Sequence, residues 1–509
     1  MTNLTFEQRE NVQGNNGLKR YLESLVSGKP FTPRSWLYEN KTPDQIRDEW
    51  LRHLRVLDSD NAIHAEVFQF DTSQLEKWGP QGGVAPIADL MEEIVLPSFT
   101  ATPKAATAFA TPEWKQAKER VTTILKFHGC VGLRPASYER VYDDMRTRDV
   151  LESNSGWPMF TRRNKSEVRQ QAMEAARNGD WKTYPAIVLF RNYNQKTRPV
   201  WMYPLAVNMV EGSFFQPLQS VIMRSDILSA SFFAPWKGFE AVKALVSEQY
   251  ANYGITLAAS DFTKTDEHFR WEATREVYDV IAPCFNQAYR SGLLESLQYM
   301  HNIPLIVGPD SIIYGEHGVS SGSNWTNFVE TIFDFILSQY VSIRTHGNVT
   351  GLYAIGDDMT WRVRGFDPDL PRFLEDIGQS VNQVINASKT TNKENRVKSL
   401  QRLFIRGYRV PFSSTDMLRG IYPTIRALKS LIYPERFHNP KQWSSDMFCA
   451  RTFMILENCV DHPLFERFVR FVCKGNRHLV PFAKQAKAVL ADITGKAKLL
   501  PGLNPTYNQ

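Results

Sequence analysis

The strongest periodic signal in the chain is helical. Apolar residues fall at Trp325, Phe328, Val329, Ile332, Phe333, Ile336 and Tyr340, the spacing of one helix face. Thr326 and Glu330 lie one turn apart on another face. A second signal is extended. Ile255, Leu257 and Ala259 alternate along one side of a strand, and Asp261 closes the stretch on that same side. In Leu352–Trp361 an apolar run enters Gly356-Asp357-Asp358 and another leaves it, which predicts a β-hairpin with acids at its turn. Lys196 and Arg198 are two apart, so on a strand they would project to one face.

Capping signals place further helices. Thr42 with Pro43 and Gln45 predicts a helix to about Leu57, and Thr111-Pro112-Glu113 predicts one to about Phe127. Helical spacing also spans Pro463 to Cys473 and Pro481 to Ile493. Residues 150–410 alternate strand-like, helical and turn segments, and the chain turns mostly helical after about 415. A mixed α/β unit followed by a helical one is expected.

Composition narrows the class. The 509 residues suffice for about three compact units, and 42% hydrophobic with 22% charged residues is ordinary for a globular protein. Net charge is +6, which permits a polyanionic partner without requiring one. Cysteines stand at 130, 284, 449, 459 and 473 with no Cys-x-x-Cys pair, so neither a disulfide framework nor a zinc site is expected. The N-terminus has no apolar signal region, and no stretch reaches the ~20 apolar residues of a membrane span.

The acids carry the candidate chemistry. Adjacent carboxylates on a tight turn repel, and a divalent cation is the usual compensation. Mg²⁺ suits such a place because it takes one or two carboxylates together with phosphate oxygens. Gly-Asp-Asp alone arises by chance in about one chain of this length in ten, so its companions matter. These are Asp261-Phe-Thr-Lys-Thr-Asp266 and Ser321-Gly322-Ser323-Asn324-Trp325-Thr326 at the head of the long helix.

The order Asp-x4-Asp, Ser-Gly-x3-Thr, Gly-Asp-Asp resembles motifs A, B and C of viral RNA-dependent RNA polymerases, with details similar to the picobirnavirus and partitivirus branch of double-stranded RNA viruses. The resemblance implies an α+β right-hand fold. An N-terminal extension (1–100) would bridge fingers (101–254) and thumb (415–509), and the palm, with part of the fingers, would fall at 255–414. It implies RNA-directed RNA synthesis with two Mg²⁺ ions, Mn²⁺ being able to replace them, held by Asp261, Asp357 and Asp358. Asp266, Ser321, Gly322 and Thr326 would read the nucleotide and its 2′-hydroxyl. Where some relatives carry Asn, this chain has Glu330, either a site residue or a structural one. A basic motif F maps onto Arg191, Lys196 and Arg198, and a template-entry loop onto Ser155 and Gly156. The resemblance implies a helix from about Pro371 to Asn386, followed by a lysine that protonates pyrophosphate at Lys389, with Lys393 as its rival, and a primer-supporting hairpin maps onto Arg406 and Gly407.

The implied partners are RNA template and product, nucleoside triphosphates and a capsid protein, with no membrane. The implied location is the virion interior and host cytoplasm. The segment from Lys474 carries six Lys/Arg against one acid, Asp492, and suits either product RNA or a solvated helix face. The tail after Leu499 is expected to dock on the thumb or enter the channel. The rival reading is a non-catalytic RNA-binding or packaging protein with a polymerase-like fold. Such a protein has no need of all three acids. A reverse transcriptase is opposed by Asp266, because a DNA-synthesising relative is expected to carry a bulky aromatic there.

Overall fold

The computed structural model describes residues 1–148, 153–412, 415–436, 438 and 443–498. The tail after Leu499 lies outside them. The chain divides into two compact units. One comprises Met1–Ser27, Pro86–Leu189 and Pro199–Ser399, and the other Gly28–Ala85, Phe190–Arg198 and Leu400–Gln509.

The first unit is built on a four-stranded antiparallel sheet in the order Val349–Ile355, Asp358–Arg364, Ile255–Asp261, Thr391–Lys393. The strand Ile255–Asp261 is internal, so both of its edges are paired. Its second face is made of small residues, and Ser260 accepts a hydrogen bond from Trp361 Nε1 at 2.9 Å. The register sets Leu257 opposite Arg362 and Asp261 opposite Asp358.

The long helix spans Trp325–Arg344 and packs on the strand Val349–Ile355 and on the helix Pro112–Phe127. It is buried well beyond the expected stripe, with Thr331, Phe335, Leu337 and Ser338 also inside. The helix–strand approach is close. A Cβ on Gly351 would stand 2.3 Å from Met359 Cε and 2.7 Å from Ser338 Cβ.

The second unit is mostly helical. Thr42 and Gln45 exchange hydrogen bonds of 3.2 and 2.9 Å and start the helix Pro43–Leu54, which continues as a tighter turn to Leu57. Its Trp50 is fully buried and donates to Thr424 Oγ1 at 2.8 Å. Asp71 caps the helix Thr424–Ile432. It accepts from the N–H of Thr424 and of Ile425, at 3.0 and 2.8 Å, and lies 2.8 Å from His462 Nε2. An anion at a helix N-terminus also meets the favourable end of the helix dipole.

Two helices depart from the sequence expectation. The one expected to reach Asn386 runs Leu370–Ser380. Asn382 there adopts φ 61°, and the Gln383 N–H returns to the Gly378 carbonyl at 2.9 Å, closing the end. The stretch Pro481–Ile493 is split into Leu479–Ala483 and Lys487–Lys498. Apolar spacing alone does not reveal such a break.

Candidate active site

Two β-strands and one turn bring the acids together. Asp261 and Asp358 are cross-strand partners at the end of the ladder, where side chains on one face stand about 4.5–5.5 Å apart at Cβ. The turn Gly356-Asp357 is tied down on both sides. The Gly356 N–H donates to Thr331 Oγ1 on the long helix at 2.9 Å, and the Asp357 carbonyl accepts from the Phe262 N–H at 3.0 Å. Gly356 has φ 57°, and a Cβ there would crowd Asn327 and Glu330.

The electrostatics are one-sided. Burial, then Asp357 and Asp261, push Asp358 up to about 7. Glu330 is buried, and its carboxyl is raised well above the usual range by burial and then by Asp357, Asp266 and Asp358. One turn on, Asp334 is raised by burial, Glu330, Asp357 and Asp358, and among the described residues neither of its oxygens has a hydrogen-bond partner. Carboxyls without nearby cations stay neutral or wait for a positive ligand. Among the described residues no group of three or more acid, His or Cys side chains is placed to hold a metal ion.

The loop before the long helix is fitted against its surroundings. A Cβ on Gly318 would lie 1.9 Å from the Asp266 carbonyl oxygen, and one on Gly322 1.7 Å from that of Trp201. Ser321 Oγ accepts from the Trp201 N–H at 3.4 Å, and Thr326 Oγ1 donates to the Ser320 carbonyl at 2.5 Å. Beneath the loop, buried Glu211 accepts from Ser323 Oγ, the Asn324 N–H (3.0 Å) and Asn208 Nδ2 (2.9 Å). Asn208 Oδ1 accepts from Arg163 Nη2 at 2.9 Å, and Arg163 Nε donates to the Asn154 carbonyl at 3.0 Å. The chain of bonds therefore links the 154–156 turn to the 321–324 loop. In that turn Ser155 is buried, and Gly156 (φ 67°) leaves 2.6 Å between a Cβ and the Tyr203 carbonyl oxygen.

Lys389 and Lys393 separate by position. Lys393 pairs with Leu257, inside the ladder. Lys389 is exposed and lies between the Phe262–Ile385 bridge and the Ala259–Thr391 pair, at the level of Asp261. In the second unit, Lys196 and Arg198 are exposed on the tip of a hairpin whose turn, Asn194-Gln195, has φ 55° and 61°. Arg406 and Gly407 sit at the bend of another hairpin, bridged at Leu403–Ile421 and Arg409–Leu418, with Gly407 at φ 78° and open space around it.

Residues 193–423 match the family model for viral RNA-dependent RNA polymerase. The chain carries a viral RNA-dependent RNA polymerase domain. It is 26% identical over 519 aligned residues to a potential RNA-dependent RNA polymerase of Human picobirnavirus (strain Human/Thailand/Hy005102/-), covering 97% of this chain and 91% of that protein. The crystal structure of a human picobirnavirus RNA-dependent RNA polymerase superposes with TM-score 0.79 at 24% identity, over 98% of this chain and 95% of that one. An insertion-loop deletion mutant of that enzyme gives TM-score 0.79 at 24% identity and 97% coverage of both chains. The fold of this polymerase is thus the α+β right-hand class. Viral RNA-dependent RNA polymerases generally use divalent metal ions. No helix among the described residues of the polymerase is long and apolar enough to cross a membrane.

Four residues in and around the polymerase's site escaped the sequence reading. Glu211, Asn208 and Arg163 are ordinary polar residues in sequence, and nothing local marks them as one buried network. Asp334 carried a signal: it is an acid one turn beyond Glu330, in a helix otherwise read for its apolar positions.

Proposed function

We propose that this chain joins nucleoside triphosphates into RNA on an RNA template, with Asp261, Asp357 and Asp358 as the ligands of Mg²⁺. The observation that carries the assignment of these residues is the pairing of Asp261 with Asp358 beside the Gly356-Asp357 turn. The chemistry of the donors suits a hard cation. It offers carboxylate oxygens only, burial and then Asp357 and Asp261 push Asp358 up to about 7, and a hard cation there would also take phosphate oxygens. When bound, such ions polarise the attacking and leaving oxygens of an in-line displacement at the α-phosphate.

The chain's own residues supply the rest. Asp266 and Thr326 are proposed to read the ribose 2′-hydroxyl, the group that separates RNA from DNA, with Ser321 and Gly322 shaping the loop beside it. Lys196 and Arg198 are proposed to neutralise the triphosphate, the guanidinium with two parallel donors. Lys389, level with Asp261, is proposed to deliver a proton to pyrophosphate. Ser155 and Gly156 shape the template path, and Arg406 and Gly407 support the primer end. RNA template, product and nucleotides are then the partners, with a viral capsid protein in addition, and the virion interior and host cytoplasm are the places of action.

The test is Mg²⁺-dependent incorporation of labelled nucleotides on an RNA template by the purified chain. Asp357→Asn keeps the shape and removes the charge, and should lower turnover at least a thousand-fold, about 4 kcal/mol, with RNA binding retained. Near-normal turnover in that variant overturns the assignment. RNA binding without any incorporation by the wild type favours a packaging role instead.

A further inference from the structure

The tip of the basic hairpin is anchored, within the second unit, by residues that no motif assigns. Arg191 gives two parallel hydrogen bonds to Glu435, Nε to Oε1 at 2.8 Å and Nη2 to Oε2 at 2.7 Å. Glu435 is largely enclosed, and its carbonyl accepts from Thr32 Oγ1 at 2.5 Å. The same guanidinium lies 4.6 Å from the Tyr193 ring centroid, and Arg198 stacks 5.0 Å from that ring and donates to its hydroxyl at 2.9 Å.

The turn beyond is held as tightly. The Asn194 N–H donates to Gln81 Oε1 at 3.1 Å, buried Lys429 donates to Asn194 Oδ1, and Gln195 Nε2 donates to the Trp78 carbonyl at 3.0 Å. Of the three cations on this hairpin, Arg191 has its fork filled by a carboxylate. Lys196 and Arg198 keep their charges exposed.

We propose that Glu435 is a positioning residue for nucleotide addition. It locks Arg191 as an anchor, and the anchored hairpin presents Lys196 and Arg198 to the triphosphate. A bidentate Arg–carboxylate pair fixes direction as well as distance, and a filled fork has no donors left for a phosphate on the same side. The proposal rests on the polymerase reading above. It differs from the motif resemblance in taking Arg191 out of the set of phosphate ligands.

The test compares Glu435→Gln, Arg191→Ala and the exchange Arg191→Glu with Glu435→Arg, assayed in the full chain beside the wild type and Asp357→Asn. Glu435→Gln should lower kcat/KM for nucleotides about ten-fold with template affinity and melting temperature unchanged. The exchange should recover most of that loss, because the pair is rebuilt with its charges reversed. Backbone hydrogen exchange over 191–198 should quicken in Glu435→Gln and slow again in the exchange variant, a readout independent of catalysis.

An exchange variant as poor as Arg191→Ala, with the hairpin's slow exchange restored, would show that Arg191 itself touches phosphate and overturns the proposal. A fully active Glu435→Gln overturns it too. If the wild type incorporates nothing, the polymerase reading falls and takes the catalytic role of Glu435 with it. The hydrogen-exchange arm still decides whether Glu435 is the anchor.

Discussion

Asp261 and Asp358 face each other across a strand pair. The consequence for Asp358 has a definite sign. With its carboxyl pushed up to about 7, it holds a proton in the metal-free protein below that pH, and a cation favours the ionised form. Mg²⁺ binding at about pH 6.5 should therefore release protons and should tighten as pH rises through about 7. Calorimetry in two buffers of different ionisation enthalpy measures the release, and Asp358→Asn should abolish it. An equal heat in both buffers for the wild type contradicts the shift. At Asp266, replacement by Ala should shrink the preference for ribonucleotides over deoxyribonucleotides roughly ten-fold, the worth of about one charged hydrogen bond. The ratio of kcat/KM for the two sugars decides it, and an unchanged ratio makes Asp266 structural. Glu330 now reads differently from a solvated helix residue. It is buried, and Asp357, Asp266 and Asp358 all act on it.

At the scale of elements, the hairpin anchored on Lys429 invites a stability measurement. Burial, with Arg426 and Lys77 adding repulsion and Glu435 opposing it, lowers Lys429 to about 7, against ~10.4 in the unfolded chain. Between those values the unfolded state binds the extra proton, so stability should rise with pH across that window, and none of this gain is present below about 7. Urea midpoints measured from about pH 7 to 9 should climb in the wild type and climb less in Lys429→Met. Equal slopes would mean that the ammonium is tolerated in place. Sequence pattern revealed these elements unevenly. The strand ending at Asp261, the Gly-Asp-Asp hairpin and the capped helices were legible because period and caps are local. The ends at Ser380 and Ala483 were not, because a positive φ at Asn382 and a break after Ala483 leave the apolar spacing intact. The Glu211 network was illegible for a deeper reason: Glu211 meets Ser323 and Asn324 only through packing of residues more than a hundred positions apart.

At the scale of the whole molecule, the modest net charge of +6 leaves RNA affinity to local clusters. Lys474, Arg477, Lys484 and Lys487 are exposed. If they meet product RNA, replacing all four by Gln should flatten the salt dependence of single-strand binding by about 0.7 in log–log slope for each phosphate that is no longer neutralised. An unchanged slope assigns them to solvent. The two glycines of the loop before the long helix have a consequence of another kind, for the gene rather than the protein. Gly318 and Gly322 leave less than 2 Å between a Cβ and a backbone carbonyl oxygen. Every missense change at the first or second base of a glycine codon adds a Cβ, and only third-base changes are silent. In a genome copied with frequent errors, these two codons should drift at the third base alone, while exposed positions nearby, such as Glu316, accumulate replacements.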